Sequence, residues 1–147
     1  MSIKLSSLKS DTARETQGDW QDIPDFPGLR LKVRSLEYAP FRMARDLLIQ
    51  TFARKYGRRP IPPEIQTKAF GKLYADHILL DWEGLDDDSK PPAPIKFTSE
   101  ASHEYLTDPE YRKLVAAVEW AAGMLTEAEQ DFVEEAVKNS APPSATT

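Results

Sequence analysis

IPPEIQTKAFGKLYADHILLDWEGL, residues Ile61–Leu85, decides how the rest of the chain is read. At helical spacing Ile65, Ala69, Leu73 and Leu80 share a face, with Phe70 and His77 beside them, while Glu64, Lys68 and Lys72 point the other way. This pattern predicts an amphipathic helix that opens at the prolines and stops near Gly84. From Ile78 onward the stripe dissolves, because on a helix Ile78, Leu79, Leu80 and Trp82 occupy most of the circumference. A helix end that is apolar on all sides has to be covered on all sides, by the chain or by a partner. Ile78, Leu79, Trp82 and Leu85 are therefore the candidate partner-binding residues, with Trp82 and Leu85 as leading anchors. Core packing of Trp82 is the competing reading, since large aromatics serve both purposes.

Upstream, Pro60–Pro63 separates this helix from another. Pro40 suits a first helical turn, Phe41, Ala44, Leu48 and Phe52 repeat at helical spacing with Leu47 joining them, and Gly57 stops the run. These signals predict a helix over Ala39–Tyr56. Before it, DWQDI (Asp19–Ile23), a DFPG turn and the alternating Leu29–Arg34 predict a small antiparallel hairpin. Residues Met1–Gly18 have little to pack and read as a flexible segment with at most a short edge strand. Downstream, DDDSKPPAP (Asp86–Pro94) reads as a charged, proline-rich loop. Thr98 or Ser99 is placed to cap a short helix to Leu106, and Thr107 or Asp108, with Pro109 next, to start another to about Leu125. Thr126-Glu127-Ala128-Glu129 has the capping-box spacing and predicts a last helix through Val137, with Phe132, Val133, Ala136 and Val137 on its buried side. The chain then divides into a flexible segment 1–18, one globular domain 19–139 (hairpin 19–36, helical body 37–139) and a disordered tail 140–147. The fold class is α+β, mostly α, with a hairpin packed on four to five helices.

The length of 147 residues suits one domain, and 40% hydrophobic with 29% charged residues is a globular composition. There is no apolar run of membrane-spanning length and no secretory hydrophobic region, which points to the cytoplasm and away from a membrane. Without cysteine, and with only two histidines, disulfide and zinc chemistry are set aside, and no cofactor is expected. The net charge of -5 is unevenly spread: Arg30–Lys72 holds eleven basic and three acidic residues, and Leu73–Asn139 five and sixteen. Such blocks complement each other within a fold or between copies, which is compatible with a homo-oligomer.

No glycine-rich phosphate loop occurs, and no nucleophile, base and oxyanion stabiliser come together. Asp86–Asp88 lacks the ligand spacing of a divalent-cation site and reads as solvated loop. His77 and His103 read as packed or hydrogen-bonded structural residues. The sequence thus speaks against an enzyme. Basic residues on the strand and helix of the first block would suit phosphates, but the overall acidity and the missing recognition motif set nucleic acid aside.

At LKVRSLEYAPF (Leu31–Phe41), ILLDWEGL (Ile78–Leu85) and TDPEY (Thr107–Tyr111) the chain resembles the tail assembly chaperones of long-tailed bacteriophages and prophages. The resemblance extends over Leu29–Asn139. It implies a non-enzymatic protein of the bacterial host cytoplasm that coats the tape-measure protein, helps recruit tail-tube subunits around it, and is absent from the mature virion. The basic end of the first helix, with Arg58-Arg59-Pro60, has no counterpart in the family pattern. Two other classes compete: a structural virion protein of the tail or head-tail joint, and a small nucleic-acid-binding regulator whose affinity would fall steeply with salt.

Overall fold

The computed structural model describes residues 2–9 and 12–140. After a 3-10 turn at Leu5–Leu8 come helix α1 (Thr12–Gln17), strands β1 (Asp19–Asp22) and β2 (Arg30–Val33), helices α2 (Ala39–Tyr56) and α3 (Pro63–His77) and strand β3 (Leu79–Glu83). Helix α4 (Ser99–Leu106), a 3-10 turn at Pro109–Tyr111 and the long helix α5 (Arg112–Ser140) complete it. This is an α+β fold, mostly α, as the separate periods of the sequence predict. The hairpin, helix α2 and the Thr98 cap of α4 also form where the residues place them, the Thr98 hydroxyl accepting the Ala101 amide at 3.0 Å.

The largest departure is β3. The helix opened by Pro63 ends at His77, and Leu79–Glu83 continues as an outer strand antiparallel to β2, giving the sheet order β1-β2-β3. Leu31 pairs with Trp82 and Lys32 with Asp81, but Val33 pairs with Leu79, so Leu80 is an extra residue that bulges the strand. Leu31 and Val33, two apart, face the core, and the bulge turns Leu79 and Trp82, three apart, to the same side. Spacing of three is a helical spacing. The sequence signal was therefore that of a helix, and the apolar residues taken to surround a helix end are instead the two faces of a strand.

Helix α5 is the second departure. The predicted break at Thr126 does not occur, because both capping-box side chains are engaged elsewhere. Thr126 Oγ1 donates back to the Ala122 carbonyl at 2.9 Å and accepts the Leu36 amide at 3.0 Å. The Ser35 hydroxyl donates to Glu129 at 3.1 Å and accepts the Glu37 amide at 3.1 Å. The link between β2 and α2 is thus satisfied by α5, and Ser35 is buried. Burial, opposed by the Ser35 hydrogen bond, holds the Glu129 carboxyl above its ordinary range. The Thr107/Asp108-Pro109 signal yields only the 3-10 turn, which Asp108 caps by accepting the Glu110 amide at 2.9 Å. Residues 141–147 and the side chains of Phe132, Val133 and Ala136 lie outside the described residues. Before β1 the chain forms α1, which meets Arg34: its guanidinium donates to the Thr16 carbonyl at 2.7 Å and the His77 carbonyl at 3.0 Å.

The core lies between one face of the sheet and helices α3, α4 and α5, with Leu31, Val33, Ile78, Leu106 and Val118 fully enclosed. Ala117, Ala121 and Ala122 give α5 a small-residue face toward it. Gly71 does the same for α3, since a Cβ there would lie 1.9 Å from the Leu106 carbonyl oxygen of α4.

Candidate binding surface

The strand conformation decides the fate of the residues proposed as anchors. Ile78, Leu79 and Trp82 are 0%, 3% and 4% exposed and belong to the core, and only Leu85 is half-buried at its edge. The Trp82 indole lies edge-on to Phe97, with ring centroids 4.8 Å apart, and its Nε1–H donates to the Ile95 carbonyl at 2.7 Å. A partner cannot reach these side chains without opening the domain. The physical reason is that the sheet face and the segment Ile95–Phe97 supply the cover that an isolated helix end would lack.

The loop after β3 is built to bring that cover back. Asp86 bridges Pro94, the Asp87 amide donates to the Ala93 carbonyl at 2.8 Å, and the Ile95 amide donates to the Leu85 carbonyl at 2.7 Å. The Asp87 carboxylate accepts the Ser89 hydroxyl together with the amides of Ser89 and Ala93, at 3.0 and 2.9 Å, which holds its carboxyl below the ordinary range. Among the described residues, no group of three or more His, Asp or Glu could hold a metal ion, and no helix is long and apolar enough to cross a membrane.

Much of the basic character of β2 is used internally. Arg30 pairs with Asp22 at 2.9 Å and Glu83 at 3.1 Å, and Arg34 covers the Tyr38 ring at 4.3 Å while donating to the two carbonyls already named. Arg59 bonds the carbonyls of Lys55 and Tyr56 at 2.6 and 3.2 Å and so caps the end of α2. Arg54 and Arg58 remain at the surface.

A groove of about 450 Å³ runs between α3 and α5. Gln66, Thr67, Phe70 and Tyr74, at helical spacing on α3, face Arg112, Val115, Ala116 and Glu119 on α5. Phe70 and Val115 are half-buried and supply apolar floor, with Arg112 and Glu119 as charged walls. Tyr74 stacks on Phe41 with centroids 5.8 Å apart, and burial, reinforced by the Glu119 carboxylate, pushes its hydroxyl well above the ordinary tyrosine range. It is therefore a neutral hydrogen-bonding group at physiological pH. The sequence carried half of this signal: Phe70 stands beside the apolar stripe of α3, but that α5 would lie opposite is a tertiary fact.

His103 joins α4 to α3. Its Nδ1 lies 2.7 Å from the Ser99 carbonyl and its Nε2 contacts the Asp76 carboxylate. Both partners only accept, so the doubly protonated ring satisfies both, and the Ser99 carbonyl and then Asp76 raise its pKa above the ordinary 6.5. A raised folded pKa means that the contribution is complete below the unfolded value and lost as pH rises through the folded one. Denaturant titrations should accordingly show His103→Gln losing more stability at pH 5.5 than at pH 8.5. Equal losses at the two pH values would show that the protonated ring contributes nothing.

Residues 36–139 match the family model for the YdaY prophage protein, and the chain belongs to that family. It is thus a phage-related protein of prophage origin. Neither a curated protein nor a solved structure gave a match.

Proposed function

We propose that the protein is a non-enzymatic tail assembly chaperone that holds a segment of the tape-measure protein in the α3–α5 groove and helps recruit tail-tube subunits. The groove is the observation that carries this reading. It is open, apolar along its floor and charged at its walls, which suits an amphipathic helix laid in with one apolar face down. Each large apolar anchor buried there would contribute about 1.5–3 kcal/mol, so two or three anchors suffice for a reversible hold. Prophage origin and the ILLDWEGL and TDPEY resemblances support the tail-assembly role. The protein would act in the bacterial host cytoplasm and leave before the virion is complete.

Co-expression with the tape-measure protein of the same prophage tests this. The native chain is expected to keep the tape-measure protein soluble, and Ala116→Trp, which fills the groove from an exposed helical position, to lose most of that capacity while keeping its fold. Full retention of the partner by a folded Ala116→Trp variant would remove the groove as the site. An insoluble partner even with the native chain, or the chain's presence in purified virions, would remove the chaperone reading.

A further inference from the structure

The described residues leave two helix faces uncovered, and these match each other. On α2, which lies chiefly on α3, Met43 and Leu47 are 74% and 61% exposed, and with Gln50 and Arg54 they form a stripe at i, i+4, i+7 and i+11. On α5, Trp120 and Met124 are 42% and 38% exposed, and Glu127 and Asp131 extend that stripe at the same intervals. A shift of 77 positions carries Met43 onto Trp120, Leu47 onto Met124, Gln50 onto Glu127 and Arg54 onto Asp131.

We infer that α2 of one copy packs parallel to α5 of a second copy in this register. Apolar side chains then meet at the first two positions, and Arg54 meets Asp131 toward the C-terminal ends. The alternating steps of four and three are those with which two helices keep a common seam. Two α2 stripes or two α5 stripes would set like charges together if parallel and apolar residues against polar and charged ones if antiparallel, so the complementary face of the second copy is the better match. Such a contact joins different surfaces of the two copies, so each copy keeps one of each kind free, and further copies add in a row or close a ring. This association involves a different face of α5 from the α3–α5 groove and holds whatever that groove binds.

Sedimentation velocity on the full chain over a concentration series, in low and high salt, reads it out. Association is expected to rise with concentration and to weaken with salt. Arg54→Asp and Asp131→Arg, both at exposed positions, should each weaken it roughly tenfold. The double variant, and an equimolar mixture of the two single variants, should recover it, because each restores an opposite-charge pair at every contact. Circular dichroism confirms that each variant is folded. A chain that stays monomeric up to about 0.5 mM, or a double variant and mixture as weak as the single variants, overturns the inference.

Discussion

Trp82→Ala is expected to lower the stability of the domain by about 3–5 kcal/mol, the cost of truncating a buried aromatic. Three losses combine. The indole is 4% exposed, so its removal leaves a cavity between β2, β3 and the segment around Ile95. The Ile95 carbonyl loses the Nε1–H that reaches it at 2.7 Å. Phe97 loses the ring it meets edge-on at an interplanar angle of 80°. Against a total of about 5–15 kcal/mol for a domain, this is a large fraction, and the melting temperature should fall by about 10 °C or more. Trp82→Phe keeps most of the apolar volume but not the hydrogen bond, so its loss should be clearly smaller. A thermal melt followed by circular dichroism checks both, and an unchanged midpoint for Trp82→Ala would mean that the indole is not part of the core.

The second large effect opposes helix propensity. A glycine inside an exposed helix is worse than alanine by about 1 kcal/mol, so propensity alone makes Gly71→Ala stabilising. Packing makes it destabilising. The added methyl would stand 1.9 Å from the Leu106 carbonyl oxygen and 2.7 Å from its carbon, and both are backbone atoms that cannot rotate away. Helices α3 and α4 would have to separate, disturbing the buried Leu106 and Ser102 beside them. Overpacking of this kind costs about 1–3 kcal/mol, and a clash with backbone lies at the upper end, so a net loss of about 1–2 kcal/mol is expected after the propensity gain of about 1 kcal/mol. Urea denaturation measures it, and a gain in stability would show that the two helices have slack the structure does not display.

The sequence made legible those elements whose signal is local. Pro40 and Gly57 bound α2, Thr98 caps α4, and the turn at Asp25–Gly28 joins two strands, each through chemistry within a few residues. Two elements were hidden by tertiary chemistry. In β3 the bulge at Leu80 replaced the period of two by an apparent period of three, and only the pairing with β2 reveals it. At Thr126 and Glu129 the side chains of a helix start are used to hold Ser35 and Leu36, ninety or more residues away, so the same residues signal a cap and serve a tie. The anchors followed the misread helix, since an apolar run looks exposed when the strand it pairs with lies forty-six positions upstream of Leu79 at Val33 and part of the core it joins lies downstream on α4 and α5. The groove was half legible, as Phe70 beside the stripe of α3 with no indication of what faced it.

The sheet order also sets when the protein exists as a folded object. Its first two strands are adjacent in the chain and can pair early, but a two-stranded hairpin is at best marginal in water. The third strand comes only after α2 and α3, and bringing it back carries a loop-closure entropy on the order of 3 kcal/mol that no contact has yet offset. At ribosomal speeds of about 5–20 residues per second, the hairpin waits several seconds for β3, and longer for the turn of α5 that seats Leu36. The groove has one wall on each side of β3 in the chain, α3 before it and α5 after it. It is therefore complete only after synthesis has passed Glu119, the last of its lining residues, and α5 can dock against α3.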